Sequence, residues 1–237
     1  METAIASALA EVAEQWPIER PIPPLLLWQH TLRHAGNLAL KALTFDETLE
    51  SETRSWAEIP FGNAFAVGVD LPWDPTTPVL IPGTNVLIQG SIDRLDLRAD
   101  ARGVRVSDYK TGRQPKDAAR IVIAGGSELQ RVTYAIAARQ LLPHVGRIIA
   151  RLIYVGEPQP QEYKLRDVEA TVAAIGGFVG DACELLRQGN ALPGLIAAPE
   201  KDNEFRIALP AAETYFSSKQ NALRRAFGAF SRVWQSS

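Results

Sequence analysis

Cysteine is nearly absent from this sequence of 237 residues; Cys183 stands alone. One thiol builds no intramolecular disulfide, no Cys-x-x-Cys zinc site and no four-cysteine iron–sulfur cluster. A reducing, cytoplasmic setting is the expectation. No apolar run approaches the roughly 20 residues that span a bilayer, so no membrane association is expected. The opening METAIASALAEVAEQW has acids at Glu2 and Glu11 and no early basic region, so no targeting signal is expected. Excess charge of one sign is also missing, with 25 Lys and Arg against 27 Asp and Glu, a net charge of -2 and a pI near 6.0. Any nucleic-acid contact therefore has to come from local basic residues such as Lys110, Arg113, Lys116, Arg120, Lys219, Arg224 and Arg225. There is no GxxxxGK[ST] phosphate loop, so an ATP-driven motor would belong to another chain.

What is present is enough apolar residue, 46%, to bury a full core, and one domain over 1–237 is the expectation. Its parts are a helical segment 1–55, a core 56–165 and a helical segment 166–237. Residues 2–16 read as a helix broken by the proline-dense stretch Pro17 to Pro24. A second helix runs to about Leu43, with Trp28, Leu32, Ala35, Ala39 and Leu43 as its apolar stripe. Short apolar runs punctuated by Gly, Pro, Asn and Asp then predict strands at 57–61, 64–70, 86–97 and 103–110, the last two joined as a hairpin through Ala99–Gly103. A helix follows in SELQRVTYAIAARQLL with Ser127 as N-cap, then strands in IIARLIYVG and QEYKLR. Asp167 caps an amphipathic helix that packs Cys183 and stops at Gly189, and a last helix covers about 211–234. This order predicts an α/β fold, a central mixed sheet flanked by helices.

The segment GSIDRLDLRADARGVRVSDYKTG, residues 90–112, carries the chemistry. Alternation puts Asp93 on a strand face with Leu87, Leu95 and Leu97, where an acid needs a reason. On the partner strand Val104, Val106, Asp108 and Lys110 share a face, so pairing would converge two carboxylates and an ammonium. Two carboxylates held close repel when desolvated, and a divalent cation offsets this. A lysine beside the cation orients or helps deprotonate a water, or stabilises charge on a phosphate, which implies phosphodiester hydrolysis. A surface hairpin with an ordinary salt bridge is the competing reading of the same residues.

GSIDRLD, then SDYKTG, then ELQRVTYAIAAR resembles the core of the PD-(D/E)XK nucleases, in the RecB/AddB-type branch of helicase–nuclease complexes. The resemblance implies a restriction-endonuclease-like core and a Mg²⁺-dependent nuclease, with Mn²⁺ as an alternative ion, acting on DNA in end processing or double-strand break repair beside a helicase partner. It implies Asp93 and Asp108 as metal ligands, Lys110 as catalytic, and Gln130 and Tyr134, one helical turn apart, as substrate-binding or site-lining residues. Active members of the branch carry an upstream His in a GxxxHxxL helix, of which there is no clean copy. His34 in LRHAGNL is the better candidate ligand and His30 the poorer, although both sit in what resembles the helix after that motif, as if the chain began downstream of it. Glu58 in WAEIPFG matches an acid that often opens a strand there and would support the metal. Arg94 and Asp96, on the other strand face, are expected to form structural ion pairs. The absent His leaves open a second function, a nuclease-fold module that binds DNA or assembles a complex without cutting. A third is a stand-alone enzyme acting on RNA or on a defence-related DNA substrate.

Overall fold

Val104 and Val106 alternate with polar residues along one strand, and Leu95 answers them on its neighbour; these three are almost wholly buried. They form the middle of a five-stranded sheet in a computed structural model that describes residues 1–45, 52–67, 70–116, 118–123, 126, 128–190, 222, 224–228 and 232. The sheet has the order β1 (Thr53–Phe61), β4 (Gly90–Arg98), β5 (Gly103–Lys110), β6 (Arg147–Tyr154), β7 (Gln161–Lys164). The β5–β6 pair is parallel and the other three are antiparallel, so the sheet is mixed. Antiparallel β4 and β5 need only the short turn at Ala99–Arg102, whereas parallel β5 and β6 require a crossover. Helix α3 (Gln130–Leu141) supplies it and packs across both strands. Helix α4 (Val168–Arg187) lies against α3, with the Asp167 side chain accepting from the backbone N–H of Ala170 at 2.9 Å and Gly189 in a left-handed conformation just past its end. This is the α/β class and the flanked mixed sheet that the element order implies, with the 99–103 hairpin as expected.

Several expectations are corrected. The strand expected at 86–97 is two strands: β3 (Leu87–Ile88) pairs with β2 (Val79–Leu80) in a small separate sheet, and β4 starts only at Gly90. Leu87 is thus exposed and does not share the face of Asp93. Gly90, the first residue of β4, faces Phe61 across the ladder, and a Cβ there would lie 2.9 Å from the Phe61 ring. The strand expected at 64–70 is a turn over its described residues. Gly62 adopts φ +64, and Asn63 accepts from the backbone N–H of Ala66 through its carbonyl and of Phe65 through its side chain.

The first helix, α1 (Glu2–Glu19), runs through Pro17 instead of stopping before it. A proline in the last turn forfeits one N–H bond but keeps a helical φ, and the N–H of Arg20 still reaches the carbonyl of Trp16 at 2.9 Å. On α2 (Leu25–Thr44) the buried residues are Trp28 and Gly36, while Ala35 and Leu43 are exposed. The stripe is rotated because α1 seats Leu9 on Gly36, where a Cβ would come within 2.6 Å of it. The expected cap Ser127, Lys219 and most of 211–234 lie outside the described residues; α3 itself has Leu129 at its N-cap position without a side-chain cap. Residues 222 and 224–227 are helical. Among the described residues no helix is long and apolar enough to cross a membrane.

Gly176 on α4 tests how closely the layers approach, since a Cβ there would stand 2.3 Å from the carbonyl oxygen of Pro82, whereas one on Gly177 would meet open space. Alanine ordinarily stabilises a helix over glycine by about 1 kcal/mol. Gly177→Ala should follow that rule, and Gly176→Ala should reverse it, lowering stability by about 1–3 kcal/mol through overpacking. Urea denaturation midpoints of the two variants check the difference in sign.

Candidate active site

Asp93 is where the sheet's ladder opens. On the β1 side the register runs through Ala57↔Arg94 and resumes at Ile59↔Ile92, skipping the pair between Glu58 and Asp93. On the β5 side pairing reaches Arg94↔Ser107, and extending it by one residue sets Asp93 opposite Asp108. Ile92 and Leu95 are both fully buried though three residues apart, so strict alternation also slips here. The Asp93 carboxylate takes over part of the missing ladder: Oδ2 accepts from the backbone N–H of Tyr109 at 2.9 Å. Its Oδ1 accepts from the Tyr134 hydroxyl on α3 at 3.2 Å.

Asp108 points from β5 toward α3 and is 1% exposed. Lys110 Nζ lies 2.8 Å from its Oδ2, an ion pair whose approach falls outside hydrogen-bond geometry yet is close enough to favour the charged carboxylate. Among the described residues Oδ2 is the one buried side-chain oxygen or nitrogen without a hydrogen-bond partner. Burial pushes the Asp108 carboxyl up to about 6; Lys110 pulls it down, while the charges of Asp93 and Glu128 raise it further. Lys110 also donates to the side-chain oxygen of Gln130, at the first turn of α3. Tyr134 is held well above its ordinary pKa, first by burial and then by Asp93 and Asp108, so it stays a proton donor to Asp93. The edge of its ring meets Phe61 with centroids 6.4 Å apart.

The structure thus brings together five of the residues singled out from sequence: Asp93, Asp108, Lys110, Gln130 and Tyr134. Glu58 is close by register but exposed, in a left-handed conformation at φ 50, with its carboxylate accepting from Ser91 Oγ at 3.3 Å. His34 is exposed on α2 with its ring stacked on His30, centroids 6.5 Å apart. Among the described residues no three or more His, Cys, Asp or Glu side chains are grouped to hold a metal, so His34 does not join the two acids. Sequence reading missed Glu128, which the buried Arg131 fixes through Nε at 2.7 Å while Arg131 also donates to the carbonyl of Ile121. An acid two residues before Gln130 at a helix start was the available signal. Phe61, the brace behind Tyr134, looked like ordinary strand core.

Two buried or half-buried carboxylates, one with a raised pKa and a buried oxygen met by an ion pair but by no hydrogen bond, form a donor set that suits a hard divalent cation. Such an ion takes oxygen ligands and retains waters where protein ligands are few. A family model described as PD-(D/E)XK nuclease superfamily matches residues 1–229. No curated protein matches the chain.

The raised carboxyl of Asp108 has a stability consequence of definite sign. Its pKa moves from 3.8 to about 6 on folding, so the folded chain holds this proton more tightly, and stability falls as pH rises through that window. Asp108→Asn should remove the penalty and make the metal-free protein more stable at pH 7.5 by about 2–3 kcal/mol, with little effect at pH 3.5. Denaturant titrations in EDTA at the two pH values check it; a less stable Asn variant at pH 7.5 would mean that Lys110 already neutralises the buried charge.

Proposed function

The chain belongs to the PD-(D/E)XK nuclease superfamily, and from that premise we propose that it is a metal-dependent deoxyribonuclease of the RecB/AddB type, hydrolysing phosphodiester bonds where β4 and β5 part. The observation that carries this reading is the buried Asp108 oxygen without a hydrogen bond, set opposite Asp93 and beside Lys110. Asp93 and Asp108 would hold Mg²⁺, or Mn²⁺ in its place, which when bound supplies Lewis acidity toward the phosphate and a more acidic water.

The chain's own residues do the rest. Lys110, about one-third exposed at the end of β5, is held between Asp108 and Gln130 with an N–H left for a phosphate oxygen or the attacking water. Gln130 keeps that ammonium aimed, since a lysine side chain has many rotamers to lose. Tyr134 fixes one oxygen of Asp93, and the N–H of Tyr109 fixes the other. With two protein carboxylates, waters and substrate oxygens would complete the coordination, which implies weak affinity for free metal. The net charge of -2 gives little long-range capture of DNA. Both features fit a module to which a helicase partner delivers the strand during end processing. The small ligand count equally supports the second reading, a DNA-binding or assembly module that does not cut, and the same assay separates the two.

The purified chain should cut linear DNA feebly with Mg²⁺ and more strongly with a partner helicase present. Asp93→Ala and Asp108→Ala should abolish the Mg²⁺-dependent signal, and Lys110→Ala should lower it by about 10²–10⁴. End-labelled DNA resolved on denaturing gels measures all three. Cleavage undiminished in Asp108→Ala would refute the site, and no cleavage under any metal or partner condition would favour the non-cutting module.

A further inference from the structure

The turn that follows β1 presents apolar side chains to solvent and is nevertheless firmly built. Phe65 is 93% and Val67 92% exposed. Asn63 ties this turn down with three hydrogen bonds, each of 3.0 Å: its N–H donates to the Pro75 carbonyl, its side-chain oxygen accepts from Phe65 N–H, and its carbonyl accepts from Ala66 N–H. Gly62 lies so close to the backbone of Ile88 that a Cβ would stand 2.2 Å from the carbonyl oxygen. An exposed aromatic on a fastened turn gains nothing from folding and loses little order on binding a ligand.

Topology says what stands nearby. β1 runs antiparallel to β4, β4 antiparallel to β5, and β5 parallel to β6, so the C-terminal ends of β1, β5 and β6 share one end of the sheet. That end holds Phe61, whose ring packs on Tyr134, as well as Asp108 and Lys110. Phe65 follows Phe61 by four residues, a reach of at most about 14 Å. In strand order the turn flanks the acid–lysine site on the β1 side. The loop after β5 leaves from its other side, carrying exposed Arg113, Lys116 and Arg120. That loop is anchored where the N–H of Gln114 donates to the Glu157 side chain at 3.0 Å.

We propose that Phe65 is a base-stacking contact for the strand being cut. Its ring takes the face of an unpaired base on the β1 side of the site, while Arg113, Lys116 and Arg120 meet phosphates on the other side. This inference rests on the nuclease reading above. Stacking on an exposed aromatic is sequence-tolerant because every base offers a π-face, and it requires a base free of its partner. A strand held at both flanks would lie across the C-terminal strand ends with a phosphate near Lys110.

The test is fluorescence anisotropy of the full chain in EDTA, with a labelled oligodeoxythymidine and with an abasic oligomer of the same length. Phe65→Ala should weaken binding of the thymidine oligomer by about 5- to 100-fold, the range that stacking of one base spans. It should leave the abasic oligomer unaffected, and Phe65→Trp should restore the loss. The ring buries nothing, so neither variant threatens folding. Equal affinity of Phe65→Ala and wild type, an equal loss for the abasic oligomer, or no binding of the thymidine oligomer by wild type overturns the proposal. Metal-dependent cutting is scored separately on wild type and Asp108→Ala. Cutting with no Phe65 effect sinks only the stacking contact, and Phe65-dependent binding without cutting under any metal or partner condition sinks only the nuclease reading.

Discussion

A carboxylate on Asp108 taken out of water, without enough donors to satisfy it, is the constraint around which this protein's centre is arranged. Among the described residues Lys110 is the cation paired with it, outside hydrogen-bond geometry, and Asp93 and Glu128 add like charge. Burying such a group is costly. The neighbouring features become intelligible as consequences: the ladder opens at Asp93, Tyr109 N–H bonds a side chain there, and α3 lays Tyr134 and Gln130 over the gap. A cation held by both acids would remove the repulsion, so the cost of burying Asp108 and the proposed affinity for metal would have the same origin.

Asp96, three residues along β4, shows that burial alone does not produce this. It too is nearly inaccessible, and burial raises its pKa, but Ser55, Arg94 and Arg105 outweigh that and hold it below the ordinary carboxylate range. Arg94 Nε donates at 2.8 Å, Arg105 donates twice, and Ser55 Oγ donates at 2.6 Å. Arg151, also buried, continues the polar pattern by donating to Ser107 and Glu162, each at 2.7 Å. Both carboxylates are buried on adjacent strands of one sheet; the satisfied one holds the strands together, and the unsatisfied one is the group to which the proposed chemistry is assigned.

Much of this was legible from residue patterns because it depends on local physics. The 3.6-residue spacing of α4 with Asp167 at its head, the period-two run Val104–Val106–Asp108–Lys110 and the polar turn of the hairpin each specify their own geometry. Tyr134 and Gln130 could be placed on one face because they are one helical turn apart. The failures lie where a neighbour distant in sequence decides. Pairing of Leu87–Ile88 with Val79–Leu80 splits one expected strand in two, Leu9 rotates the buried stripe of α2 onto Gly36, and the backbone bonds of Asn63 turn an apolar run, FAV, outward instead of into a strand.

The sequence by itself determined which residues were chemically able to act: two acids and a lysine on alternating strand positions, and a glutamine and a tyrosine one helical turn apart. It could not determine that Asp96 is neutralised while Asp108 is not, that His34 faces solvent, or that Glu128 bears on the site. Those outcomes depend on which side chains from β1, β4, β5 and α3 converge, and on how many hydrogen-bond donors each carboxylate meets. Only the tertiary structure decided them, because desolvation and Coulomb terms act through space while the pattern in a sequence runs along the chain.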